Sequence, residues 1–272
     1  MTKFKDMTIN HQVLCPNWNL NDNRGYSLLS NLVQENFALI KRLVLQSYRR
    51  SSTLIVGIIQ PLLWQSLFGA VSLFQDVNIT ISITSYKVFL SSGIIVFTAF
   101  TSALNSGLNI MFDREFGFFN RLLIIPLTSR FSISIASVIF MSSFSFFQTI
   151  LIMGGNIIYK SITNDIYRLI LINSIIFLMI GGVTIFSFAL TFFLPGHIEL
   201  LAFIFLVNSP ILFASTALAP LLSMPSWLQI IASINPITYT IEAIRYLSTT
   251  EHLSYKNTII NSILGQFNLE QM

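Results

Sequence analysis

The sequence predicts an all-α membrane protein, a polytopic transmembrane helix bundle of five to six spans. Three observations carry this. First, 53% of the residues are hydrophobic and only 10% are charged, against about 25% charged in an ordinary soluble domain. Second, the charges cluster between long apolar stretches that hold none. Third, each of those stretches is as long as the roughly 20 residues that a helix needs to cross a bilayer core.

The elements follow in chain order. Residues 1–26 form a polar tail of mixed charge, and 27–272 form one transmembrane domain. The tail has no apolar h-region with a small-residue cleavage site, so it is not a secretory signal. It is not Arg-rich and acid-poor either, so it is not a transit peptide. The lone cysteine, Cys15, excludes an internal disulfide. His11, His197 and His252 are too dispersed to hold a metal. Over Ser27–Ser51, Leu28, Leu32, Phe37, Ile40, Val44 and Leu45 recur near helical spacing, with Glu35, Lys41, Arg42, Arg49 and Arg50 between them. This predicts an amphipathic helix at the membrane surface, its late cations among anionic headgroups. A soluble helix against a partner is the alternative.

Five uncharged apolar runs come next: Leu54–Phe74, Val88–Phe112, Phe131–Tyr159, Leu169–Leu194 and Leu200–Leu222. Small and polar residues inside them, such as Ser102, Asn105, Ser106 and Gly107, let backbones approach and predict a packed bundle. In the first run Pro61 weakens the helix, while Gln60 and Gln65 place amides at membrane depth. Those amides serve either a path through the bundle or plain helix–helix hydrogen bonding. Pro220, Pro225 and Pro236 then interrupt the chain, so Ser223–Leu247 reads as one or two short, partly re-entrant helices. Asn235 can cap a helix that starts at Pro236. Glu242 and Arg245, at i and i+3, can pair. Trp227 and Tyr239 suit an interface. An ordinary interfacial cap with a surface ion pair would give the same pattern. Between Asn257 and Met272 only Ile259, Ile260, Ile263 and Leu264 form an apolar cluster, too short for a full sixth span.

Cation placement sets orientation. Lys3, Lys5, Arg24, Lys41, Arg42, Arg49, Arg50, Arg114, Arg121 and Arg130 fall on one side, against Lys87, Lys160, Arg168, Arg245 and Lys256 on the other. The N-terminus is therefore expected in the cytosol, or in the stroma if the membrane is a plastid's. The lean towards Phe, Ile, Asn and Ser fits AT-rich codons, as in organelle genomes. On the positive side lies FDREFGFFNRLLIIPLTSR, residues 112–130. Phe112, Phe116, Phe119 and Leu123 share one helical face, with Asp113, Arg114, Asn120 and Arg121 on another. A short amphipathic helix ending at Pro126 is expected, resting on the membrane domain and presenting charge outward. A solvated loop that merely holds topology is the alternative.

What is missing narrows the function. The sequence has no G-x-x-x-x-G-K-S/T phosphate loop, no G-x-S-x-G and no H-E-x-x-H. No Asp or Glu falls in the middle of a run, and proton-driven pumps usually need one there. The energy source is therefore expected in a partner, with no cofactor held by this chain and no nucleic-acid partner.

With those motifs in place, the sequence resembles the membrane subunits of ABC transporters of the ABC-2 type, above all small plastid-encoded permeases of red algae. The likeness runs from about Leu28 to Leu247. It rests on the cationic first helix, QPLLWQSLFG, the FDRE-G---RLL--P segment and the closing P-WL-----NP-TY-IEAIR. The resemblance implies that Asp113, Arg114, Glu115, Phe116, Gly117 and Arg121 belong to a cytosolic coupling helix that docks on a separate ATPase, which binds ATP and Mg. It implies that Ser27–Arg50 is an interfacial connecting helix. It implies that Asn235, Pro236, Glu242 and Arg245 sit in short helices that help close the exit on the far side. A homodimer in a plastid membrane, or otherwise a bacterial-type inner membrane, would then export a substrate. The family has six spans, and the sixth would fall within Ser254–Phe267. Two other readings remain: a polytopic enzyme acting on lipids, and a non-transporting assembly factor.

Overall fold

The computed structural model describes residues 28–49, 51–74, 83–124, 131–158, 165–249, 258–262 and 265–268. The N-terminal tail with Cys15, and Pro126, lie outside them. The helices are α1 (Leu28–Arg49), α2 (Ser51–Phe74), α3 (Ile83–Asn105), α4 (Gly107–Glu115), α5 (Phe118–Ile124), α6 (Phe131–Ile158), α7 (Ile166–Phe193), α8 (His197–Phe213), α9 (Ser226–Ile234) and α10 (Pro236–Thr249). A 3-10 turn at Leu221–Ser223 precedes α9, and two short strands, β1 (Thr258–Ser262) and β2 (Gly265–Asn268), close the described chain. The all-α membrane bundle is as the composition requires. Among the described residues, Val88–Glu115, Phe131–Ile157 and Ile166–Phe193 are long and apolar enough to cross a membrane. The 24-residue α2 is also uncharged.

The bundle is built around α3, which carries no charge after Lys87 and is buried at each position from Leu90 to Phe100. It packs against α2, α6, α7 and α10. From α7 comes a stripe at helical spacing, Ile172, Ile176, Ile180, Thr184, Ser187 and Thr191, all buried. From α10 come Ile237, Ile241, Ile244 and Leu247. On its other face Leu178, Phe186 and Phe193 are exposed, as expected of a helix whose other neighbour is lipid.

The second span runs on past Ser106, which keeps helical backbone angles (φ −59°, ψ −33°) while its hydroxyl and N–H both bond the Ala103 carbonyl. Ser187 of α7 bridges this point, donating to the Leu104 carbonyl at 2.5 Å and accepting from the Gly107 N–H at 3.1 Å. Three expectations need correction. The fifth run does not continue to Leu222: α8 carries Pro210 and ends at Phe213 after 17 residues, about 26 Å of helix against a core of about 30 Å. The stretch expected to hold a sixth span is a small antiparallel hairpin, with Ile260 opposite Phe267 and β1 against α10. The β-branched run Thr258–Ile260 favours strand over helix. Lastly, α1 is amphipathic and helical, but Arg42 turns inward; its salt bridge to Asp113 is 2.8 Å long. Leu43 anchors the helix against Phe140 and Met141 of α6.

Close approach of α4 to α7 depends on Gly107, where a Cβ would lie 2.8 Å from the Ser187 carbonyl oxygen. Gly107→Leu is expected to lower the thermal midpoint in detergent by several degrees, since overpacking costs about 1–3 kcal/mol. Gly154→Leu, where a Cβ meets nothing within 4 Å, serves as the comparison and is expected to leave the midpoint unchanged.

Candidate functional site

The charged segment after the second long span is two helices, not the continuous amphipathic one that its pattern predicts. At Phe116–Gly117 the chain turns, and Gly117 takes φ 71°. That left-handed conformation favours glycine and ends a helix. The Gly117 N–H reaches the Arg114 carbonyl at 3.2 Å and the Phe116 N–H the Phe112 carbonyl at 2.9 Å. The ring of Phe116 stacks on Phe112 with centroids 6.1 Å apart, and Phe119 meets Phe192 of α7 edge-on.

Successive residues of a helix point about 100° apart, and the three charges before the turn use that spread to reach three other helices. Asp113 accepts from Arg42 of α1 at 2.8 Å and from Gln46 at 3.4 Å. The Arg42 guanidinium also lies 3.7 Å from the centre of the Phe118 ring. Arg114 donates to the Thr191 carbonyl, to Leu194 O at 2.6 Å and to Pro195 O at 2.7 Å. It thus caps the C-terminal end of α7, where carbonyls lack helical partners. Glu115 accepts from the His197 N–H at 2.5 Å and lies 2.5 Å from His197 Nδ1, closing the N-terminal end of α8. Both charges complement the helix dipoles they meet. Outward, the turn presents Phe116 (73% exposed) and Ile124 (83%), together with Asn120 and Arg121.

The second group of predicted residues lies at the other end of the bundle. Asn235 caps α10 as its place before Pro236 predicts: its Oδ1 accepts from the Ile237 N–H at 3.0 Å, and its Nδ2 donates to Ala214 O at 3.2 Å. The pairing of Glu242 with Arg245 is present. Arg245 also donates to Thr216 O at 2.7 Å and lies 3.6 Å from the centre of the Phe89 ring. Phe89 and Glu115 are separated by about 40 Å of helix, so the turn and the α9–α10 pair occupy opposite ends. Of the span-one residues, Gln65 bonds Asn156 of α6 at 2.5 Å, which is helix–helix hydrogen bonding. Gln60 and Pro61 instead line a cavity of about 370 Å³ between α2, α3, α4 and α6.

Sequence reasoning missed Arg42 and His197 as partners of the turn. Arg42 resembles its cationic neighbours in α1. His197 stands in the sequence as one of three dispersed histidines, although its place after Pro195–Gly196 marks a helix start.

A helical membrane bundle with a charged turn braced at one face and short capped helices at the other has the build of a membrane transport protein. Residues 34–248 match the model of the ABC-2 type transporter family, and the chain belongs to that family. It is 51% identical over 89% of its length to ycf38 of Pyropia yezoensis, named a transport permease, covering 83% of that protein. It is 51% identical over 89% of its length to the Porphyra purpurea protein of that name, again covering 83% of it. With the Cyanophora paradoxa one it is 48% identical over 93% of its length, covering 87% of that protein. These relatives are plastid-encoded.

If Arg114 secures the α7–α8 junction, Arg114→Ala is expected to speed hydrogen exchange at the Leu194 and His197 amides by roughly tenfold or more. Hydrogen bonds to a charged donor are worth about 1.5–3 kcal/mol. Arg121→Ala, on the exposed side of the turn, is expected to leave both amides unchanged.

Proposed function

We propose that this chain is the membrane subunit of an ATP-driven exporter, working as two copies with two copies of a separate ATPase in a plastid membrane, the N-terminus on the stromal side. ATP and Mg are held by the partner, and this chain supplies the path and the lever. One observation carries the reading: the α4–α5 turn offers an exposed apolar and cationic tip while the three charges behind it are fixed to α1, α7 and α8.

A push on Phe116, Arg121 and Ile124 therefore moves three helices at once. Closure of the ATPase pair on ATP supplies that push. Through Glu115 it enters the start of α8. The far end of α8 runs into Ala214–Thr216, which Asn235 and Arg245 tie to α10. Motion at the ATPase face is thus delivered to the short helices at the other face, where Asn235, Pro236, Glu242 and Arg245 hold the exit shut. The bundles rock about the contact between the two copies, and substrate leaves between them. An enzyme acting on lipids would need convergent free ionisable groups at one face. Glu242 instead accepts from Arg245, which also donates to the Thr216 carbonyl.

Arg114 and Glu115 are engaged with α7 and α8 of the same chain, so the docking test belongs to the exposed tip. Phe116→Ala with Arg121→Glu is expected to reduce co-purification of the phosphate-loop ATPase at least tenfold, as loss of a central aromatic and reversal of a charge do at protein interfaces, without lowering the thermal midpoint. Undiminished association of the double variant would refute docking at this turn. Absence of any such ATPase from the purified complex would favour an assembly factor or a lipid enzyme.

A further inference from the structure

The cavity beside α2 lies within one copy of the chain. Its volume of about 370 Å³ falls within the roughly 300–1,000 Å³ of small-molecule sites. Among the described residues, no ionisable side chain lines it. Its walls mix aromatic and aliphatic groups, among them Trp64, Phe97 and Phe144, with hydroxyls and amides. Four of the five hydroxyls in the wall share one property. Thr98 donates to Ile94 O at 2.7 Å, Thr101 to Asn208 Oδ1 at 2.9 Å, Ser106 to Ala103 O at 2.6 Å, and Ser102 to Gln148. With their protons committed to the protein, these four oxygens offer only lone pairs to anything in the cavity.

The geometry points to a binding site for an uncharged amphiphile with a hydroxyl-bearing head and an apolar chain. Its hydroxyl protons satisfy the hydroxyl oxygens of the wall, and its chain lies along the aromatic side. An anion would find no cation among the described residues of the wall, and the four committed hydroxyls have no proton to give it. An ammonium group would sit at membrane depth with no counter-ion, which is costly. A pure hydrocarbon would answer neither the amides nor the open lone pairs of the wall. Gln60 and Trp64, both exposed at their positions on α2, mark the mouth, so entry is from the α2 side. The site stands whether or not the chain exports a substrate, because it needs neither the ATPase nor a second copy.

The test uses Trp64 as a reporter. With Trp18→Phe and Trp227→Phe, Trp64 is the sole tryptophan of the chain. The purified chain in phosphatidylcholine nanodiscs is titrated with a monoacylglycerol whose acyl chain is dibrominated. Its methyl ester and free fatty acid, with the same brominated chain, are titrated in parallel. Saturable quenching by the monoacylglycerol is expected, with apparent affinity at least tenfold better than for the ester or the acid. Asn105→Phe, which fills the cavity, is expected to weaken it tenfold or more. Should that variant fail to fold, Gln60→Leu at the mouth is expected to weaken the monoacylglycerol several-fold and leave the ester unchanged. Equal quenching by all three probes, or quenching unchanged by these variants, would show contact from the bulk bilayer and overturn the site.

Discussion

The guanidinium of Arg114 on the last carbonyls of α7 is the contact on which the rest of this structure turns. Helix ends leave carbonyls without partners, and in a membrane domain few groups can satisfy them. Arg114 bonds Leu194 O and Pro195 O, so α7 stops where α8 can start. Glu115, its neighbour, then holds the first residue of α8. The α7–α8 junction is thereby made part of α4, and α4 is continuous in packing with the buried central helix α3.

This arrangement separates two kinds of residue that a charged segment confounds. Asp113, Arg114 and Glu115 are braces, and their partners are inside the same chain. Phe116, Asn120, Arg121 and Ile124 are the surface. Gly117 permits the split, because the turn it makes aims α5 away from the axis of α4 after the braces are set. At the far end Arg245 plays a comparable part, joining α10 to the α8–α9 connection and to Phe89 at the start of α3. Two arginines thus fasten the two ends of α8: Arg114 of α4 at the α7–α8 junction and Arg245 of α10 at the α8–α9 connection.

Much of this was legible in the sequence, for physical reasons that can be named. Uncharged runs of spanning length reveal membrane helices directly, because lipid admits little else. The Asn235–Pro236 cap and the Glu242–Arg245 pair are local, so spacing alone predicts them. The Asp-Arg-Glu braces were not legible, because their partners lie 71 to 82 positions away, and amphipathic periodicity carries no information about which distant carbonyl a guanidinium meets. The turn at Gly117 was hidden for another reason: one glycine inside a good helical pattern is tolerated as often as it breaks. The early end of α8 shows the same limit, since a continuous apolar run reads as a span although Pro210 points to an earlier end; at Thr258–Asn268 the apolar cluster is too short to span, and the hairpin there answers only the place where the resemblance puts a sixth helix.

The account requires the α4–α5 turn and the α9–α10 pair to face opposite sides of the membrane, the turn on the side of the N-terminus. Impermeant maleimide labelling of sealed vesicles tests this directly, in a Cys15→Ser background carrying Asn120→Cys or Trp227→Cys, with a protease-sensitive tag at the N-terminus reporting sidedness. The predicted result is labelling of Asn120→Cys only in vesicles whose N-terminal tag is cleavable, and of Trp227→Cys only in those of the other orientation. Labelling of both positions from one face would contradict it.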